Sequence, residues 1–103
     1  MPYHAISPQE ISDKTNKLFE KYPVKKVSLF GSCSRNEMKR GSDVDILIEF
    51  TDQSNPLLFV ELTRKLEHLL QRKVDLISYS SLDYSDMKNE ILSEAKVIYE
   101  KRH

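Results

Sequence analysis

The chain has 103 residues, which suits one small domain with its own core. Lys plus Arg and Asp plus Glu each number 16, so the formal net charge is zero. That balance removes the long-range attraction by which nucleic-acid and anionic-membrane binders find their partners, and it disfavours a template-directed polymerase or a tRNA binder. Cys33 is the only cysteine, so no intrachain disulfide can form. With no signal-peptide pattern and no membrane-length apolar run, a cytoplasmic protein is expected.

Met1 to Ala5 reads as an arm before the first element. Ser7, Pro8 and Glu10 then make a complete helix start: N-cap, first helical position and capping-box partner. Ile6 and Ile11 fit the hydrophobic staple that accompanies it. Ile11, Thr15, Leu18, Phe19 and Tyr22 share a face, which predicts a helix to about Tyr22, with Pro23 ending it. Val27 to Phe30 is a short apolar strand running into Gly31-Ser32. A short helix is predicted from Ser32 to about Met38, followed by a turn over Lys39-Arg40-Gly41-Ser42.

Val44 to Phe50 is a stronger strand. Val44, Ile46, Ile48 and Phe50 share the face expected to pack on helices, while Asp43, Asp45, Leu47 and Glu49 share the other. Charges on that second face need water or metal, so it is expected to stay partly open. Asn55-Pro56 repeats the cap-then-proline start. The helix that follows, to about Gln71, carries a core stripe of Leu58, Leu62, Leu66 and Leu69 flanked by Phe59 and Leu70. Val74 to Ser78 reads as a third strand with Asp75 near its start. Met87, Ile91, Ala95, Ile98 and Tyr99 keep helical spacing, so a last helix is expected from Leu82 or Ser85, with Arg102 and His103 fraying. The expected order is αβαβαβα, an α/β (α+β) chain with residues 1–103 as one domain.

The chemistry concentrates between Gly31 and Asp45. Side chains two apart on a strand point the same way, so Asp43 and Asp45 set two carboxylates side by side. Such a pair repels, and one acid takes up a proton unless a cation sits between them. Hard divalent cations prefer carboxylate oxygen, and Mg²⁺ commonly combines one or two carboxylates with substrate phosphates. At the other end Gly31 permits a sharp turn and close approach to a ligand, and Ser32 opens a helical turn whose free N–H groups favour phosphate. Phosphate at one end and metal at the other is what a nucleoside triphosphate requires.

Gly31-Ser32, ten residues, then Asp43-Val44-Asp45 resembles the signature of the nucleotidyltransferase superfamily with the DNA polymerase β fold. With little chain besides the motif, the protein resembles the minimal nucleotidyltransferases, the MNT-domain antitoxins paired with HEPN-domain toxins. The resemblance implies a small mixed sheet with helices packed on one face. It implies a third metal-binding and catalytic carboxylate, Asp75, beside Asp43 and Asp45, and two Mg²⁺ ions. It places the triphosphate of ATP on Gly31 and Ser32, with Arg35 supporting the loop or the triphosphate. It makes a tyrosine of a HEPN-domain toxin the acceptor of AMP. The family usually shows Ala-Arg-Gly after Gly-Ser-x, where this chain has Ser34-Arg35-Asn36. The arginine is kept, and Asn tolerates the left-handed backbone best after Gly.

Each of these residues also has a plainer reading. Asp43 suits an ordinary strand-opening turn, Asp75 an edge acid paired with Lys73 or Arg72, Ser32 a helix cap and Arg35 the surface. Cys33 reads as a small filler, since no histidine lies nearby in sequence to activate it. His4, His68 and His103 have no ligand spacing. Two other functions fit the residues: an antitoxin that neutralises by binding alone, and a transferase acting on a small-molecule hydroxyl. No nucleic-acid or membrane partner is expected.

Overall fold

A computed structural model describes residues 6–35, 37, 41–51 and 56–101. The expectations for Met1 to Ala5, His4, Asn36, Met38 to Arg40, Asn55, Arg102 and His103 lie outside them.

Helix α1 (Pro8–Glu20) starts as its sequence dictates: the Ser7 side chain accepts a hydrogen bond from the Glu10 N–H at 3.1 Å, and Pro8 opens the first turn. The Lys21 N–H caps the other end on Leu18 and Phe19, and Tyr22 and Pro23 turn the chain into β1 (Val24–Phe30). Gly31–Cys33 forms a single 3₁₀ turn, shorter than the helix expected to Met38. β2 (Val44–Phe50), α2 (Pro56–Leu70) and β3 (Val74–Ser78) fall where the sequence puts them. A 3₁₀ segment, Tyr79–Tyr84, then leads to α3 (Lys88–Glu94).

The predicted order fails at the last step. The final helix stops at Glu94, Ala95 turns extended, and Lys96–Glu100 forms a fourth strand, β4. The helical spacing of Ala95, Ile98 and Tyr99 was coincidental. Val97, Ile98 and Tyr99 are β-branched or aromatic residues that suit a strand, and β1 has an open edge whose N–H and C=O groups need partners. β4 fills it in antiparallel register, Leu29 opposite Lys96 and Ser28 opposite Val97.

The sheet runs β3-β2-β1-β4, with β1 antiparallel to both β2 and β4 and β2 parallel to β3. β1 is therefore central, and its last four residues are all buried, Val27 and Leu29 on one face, Ser28 and Phe30 on the other. The main core lies under α1 and α2: Ile11 and Phe19, Leu62, Leu66 and Leu70 meet Val27, Leu29, Val44, Ile46, Ile48 and Leu76. Leu69, expected in that stripe, is 40% exposed, and Leu70 takes its place in the core. Tyr99 of β4 joins by packing on Phe19 with ring centroids 5.5 Å apart.

Helices do not keep to one face. Leu82 of the 3₁₀ segment and Ile91 of α3 cover Phe30, Leu47 and the partly buried Ile77, making a small second core on the face that carries the acids. This resolves the mixed character of β2: Leu47 is sealed, while the end holding Asp43 and Asp45 stays open. No described helix is long and apolar enough to cross a membrane.

Candidate active site

Register brings the acids together. In the parallel β2–β3 ladder Asp45 stands directly opposite Asp75. Paired residues on adjacent strands lie about 4.8 Å apart and send their side chains to the same face. Asp43 lies two residues before Asp45, next to Val44, whose N–H bonds the Lys73 carbonyl at 2.9 Å. Asp43 and Asp75 are exposed and Asp45 is half-buried.

Burial, followed by the charges of Asp75, Asp43 and Glu94, pushes the Asp45 carboxyl up to about 6. Desolvation and like charge both oppose ionisation, so this carboxyl holds its proton more tightly unless a cation stands beside it. Among the described residues no three Asp, Glu, His or Cys side chains form a ready-made metal cage. The acids stand around an open corner, a donor set that suits Mg²⁺ arriving with phosphate oxygens of its own.

The glycine corner abuts this cluster. Phe30 is opposite Asp45 in the β1–β2 ladder, so the chain leaves β1 beside that carboxylate. Gly31 follows at φ +69°, and a Cβ there would drive into the Asp45 carboxylate oxygen. No other residue type meets both demands, the left-handed backbone and the missing side chain. The turn closes with the Ser34 N–H and hydroxyl donating to the Gly31 carbonyl at 3.2 and 2.8 Å. Ser32 is half-buried, and its carbonyl accepts the Glu37 N–H at 2.9 Å. One 3₁₀ turn has little macrodipole, so its attraction for anions comes from local N–H groups.

A residue that the sequence reading missed sits on that turn. Glu94, at the end of α3, accepts the Gly31 N–H at 3.0 Å through one carboxylate oxygen and Arg35 Nη1 at 2.6 Å through the other. Arg35 also lies 3.6 Å from Glu37. The β1–β4 register explains the meeting. Leu29 faces Lys96 in an antiparallel pair, so two residues past Leu29 and two before Lys96 bring Gly31 and Glu94 opposite each other. Nothing in sequence could reveal this once Lys96–Glu100 was read as helix.

Cys33 fills space, as expected. Its thiol is buried, directed at the Phe30 carbonyl at 3.1 Å, and burial pushes its pKa up, the reverse of an activated nucleophile. His68 is exposed on α2, away from the acids. A hollow of about 230 Å³ lies on the same sheet face, lined by Lys26, Ser28, Glu49 and Val97 among others; Asp43, Asp45 and Asp75 do not line it.

Comparison with known proteins shows the family. Residues 13–103 match the family described as polymerase beta, nucleotidyltransferase. A Methanocaldococcus jannaschii protein with a provisional protein adenylyltransferase name is 42% identical over 86 residues, 84% of this chain and 91% of its own. Protein adenylyltransferase MntA of Thermococcus cleftensis is 42% identical over 83 residues, 81% of each chain. Among solved structures, a toxin–antitoxin complex with AMP-PNP superposes with a TM-score of 0.71 at 25% identity, over 88% of this chain and 74% of that one. An MNT antitoxin in complex with a tri-AMPylated Shewanella oneidensis HEPN toxin shares the fold, with a TM-score of 0.67 at 23% identity over 91% of this chain and 73% of that one. With its Gly31 corner set against Asp45, which stands opposite Asp75, this chain belongs to the polymerase β nucleotidyltransferase family and is a nucleotidyltransferase of the minimal, MntA-like kind.

Proposed function

We propose that this protein is an antitoxin that transfers AMP from ATP to a tyrosine hydroxyl of a partner HEPN-domain toxin, working in the cytoplasm where ATP is available. The observation that carries the reading is the placement of Asp45, opposite Asp75 across the ladder and against the Gly31 corner. Relatives named protein adenylyltransferase support it, as does a structural neighbour holding AMP-PNP in a toxin–antitoxin complex.

In this reading the triphosphate lies over Gly31 and Ser32, with the Gly31 N–H and the Arg35 guanidinium donating to its oxygens. A planar guanidinium matches phosphate geometry well. Asp43 and Asp45 would hold two Mg²⁺ ions, with Asp75 completing the nearer set; bound there, they would neutralise charge on the triphosphate and on the leaving group. The crowding of like charge around Asp45 fits that role. Asp75 accepts the proton of the incoming tyrosine hydroxyl. The tyrosine oxygen bonds to the α-phosphorus as the bond to the bridging oxygen breaks, and pyrophosphate leaves with that electron pair. The chain's own contribution is positioning and charge complementarity.

Co-expression with the partner toxin, followed by intact-mass measurement, tests this. A toxin mass raised in whole units of AMP is expected, and Asp43→Asn combined with Asp45→Asn should abolish the increase. An unchanged mass beside full neutralisation would instead identify an antitoxin that acts by binding alone.

A further inference from the structure

We propose that Glu94 is a built-in occupant of the phosphate seat, which ATP must displace, so that it sets the nucleotide affinity of the free protein. The inference rests on the nucleotide reading given above. Its evidence is the pairing of one carboxylate with two donors that belong to the seat: the Gly31 N–H at 3.0 Å and Arg35 Nη1 at 2.6 Å. Those donors come from opposite ends of the Gly31–Arg35 turn and converge on a single anionic group, whose oxygens stand in for two phosphate oxygens.

The fold delivers Glu94 without a long loop. It is the last residue of α3, one residue before β4, and the β1–β4 register fixes it opposite Gly31. α3 is anchored through Ile91 in the small core over Leu47 and Phe30, so the carboxylate is presented by a seated helix end. Its side chain remains 36% exposed and Arg35 44% exposed, so the pair is open to water and can be broken by a competing anion. Exposed pairs are individually weak, and a triphosphate offers several anionic oxygens where a carboxylate offers two. Glu94 thus tunes affinity without blocking the site. An affinity reduced by an internal competitor equals the intrinsic affinity scaled by the fraction of molecules in which the seat is open.

The test is calorimetric titration of the full chain with ATP and Mg²⁺, comparing wild type, Glu94→Gln, Glu94→Ala and a control, Glu20→Gln, which removes a similar exposed charge from the end of α1, on the other side of the sheet. Both Glu94 variants should bind ATP about three- to tenfold more tightly, with Ala at least equal to Gln, while Glu20→Gln stays near wild type. In the Arg35→Ala background the gain from Glu94→Ala should shrink, because one of the two contested donors is gone. An independent readout is the Gly31 amide resonance: wild-type protein without nucleotide should lose its charge-assisted hydrogen-bond shift in Glu94→Ala. Wild type binding ATP with no gain, or weaker binding, in the Glu94 variants overturns this proposal and leaves the nucleotide reading standing. A chain that binds no ATP in either form sinks the nucleotide reading, and the competitor role with it.

Discussion

Asp45 and Asp75 occupy directly opposite positions on two parallel strands that are joined through helix α2. A single-residue slip of β3 would turn Asp75 to the α1–α2 face and bury a charge among leucines. The apolar residues Val74 and Leu76, both buried in the main core, lock the register against that slip. Packing on one face of the sheet therefore holds the chemistry on the other.

Replacing Asp45 or Asp75 by Asn should reduce AMP transfer by about 10²–10⁴-fold, the range for removing a positioned acid–base or metal-binding group. Without metal, Asp45→Asn should melt no lower than wild type at neutral pH, because it removes a repelled charge. Toxin mass and melting temperature, measured on the same preparations, separate these effects.

Asp45 also gives a pH dependence with a definite sign. Its carboxyl is pushed up to about 6 by burial and neighbouring acids, against about 3.9 for an aspartate in an unfolded chain. The folded state holds this proton more tightly, so the stabilisation is complete below about 3.9 and is lost as pH rises through about 6. In metal-free protein, the melting temperature of wild type minus that of Asp45→Asn should fall across this window. Protons and Mg²⁺ compete for the same oxygens, so Mg²⁺ affinity should drop as pH is taken below 6.

The two glycines should behave differently when changed to Ala. Both have positive φ, +69° at Gly31 and +85° at Gly41, but only Gly31 lacks room for a Cβ. Gly41→Ala should cost about 1–2 kcal/mol from backbone strain alone and leave transfer nearly intact. Gly31→Ala should cost more and also displace the Asp45 carboxylate, so activity should fall beyond the loss of folded protein. Denaturant melts and transfer rates at matched folded fraction distinguish the two.

The strand missed in the sequence has its own test. Tyr99→Ala should destabilise the fold by roughly 2 kcal/mol, because it removes a partly buried ring that packs on Phe19. Urea unfolding of the variant measures that loss.

Cys33 should be dispensable to the chemistry. Its thiol is buried and its ionisation is opposed by burial. Cys33→Ala should retain most activity, losing at most a modest amount of stability for the small void. Thiol-directed alkylation of native protein should be slow and should not track inactivation.

Local signals carried much of this protein. Ser7-Pro8 fixed the start of α1, alternation fixed the faces of β2, and the spacing from Gly31-Ser32 to Asp43-Val44-Asp45 marked the candidate corner, because caps, alternation and sharp turns depend on residues close together in the chain. Tertiary structure alone decided the rest. Lys96–Glu100 became a strand because β1 had an edge to fill, Leu47 was sealed because α3 lay across it, and Glu94 reached Gly31 because that new pairing placed it there. The Gly31–Glu94 contact alone spans 63 positions, and the β1–β4 pairs span more. A pattern within one segment records which faces are apolar, but not which distant edge or donor will be waiting for it.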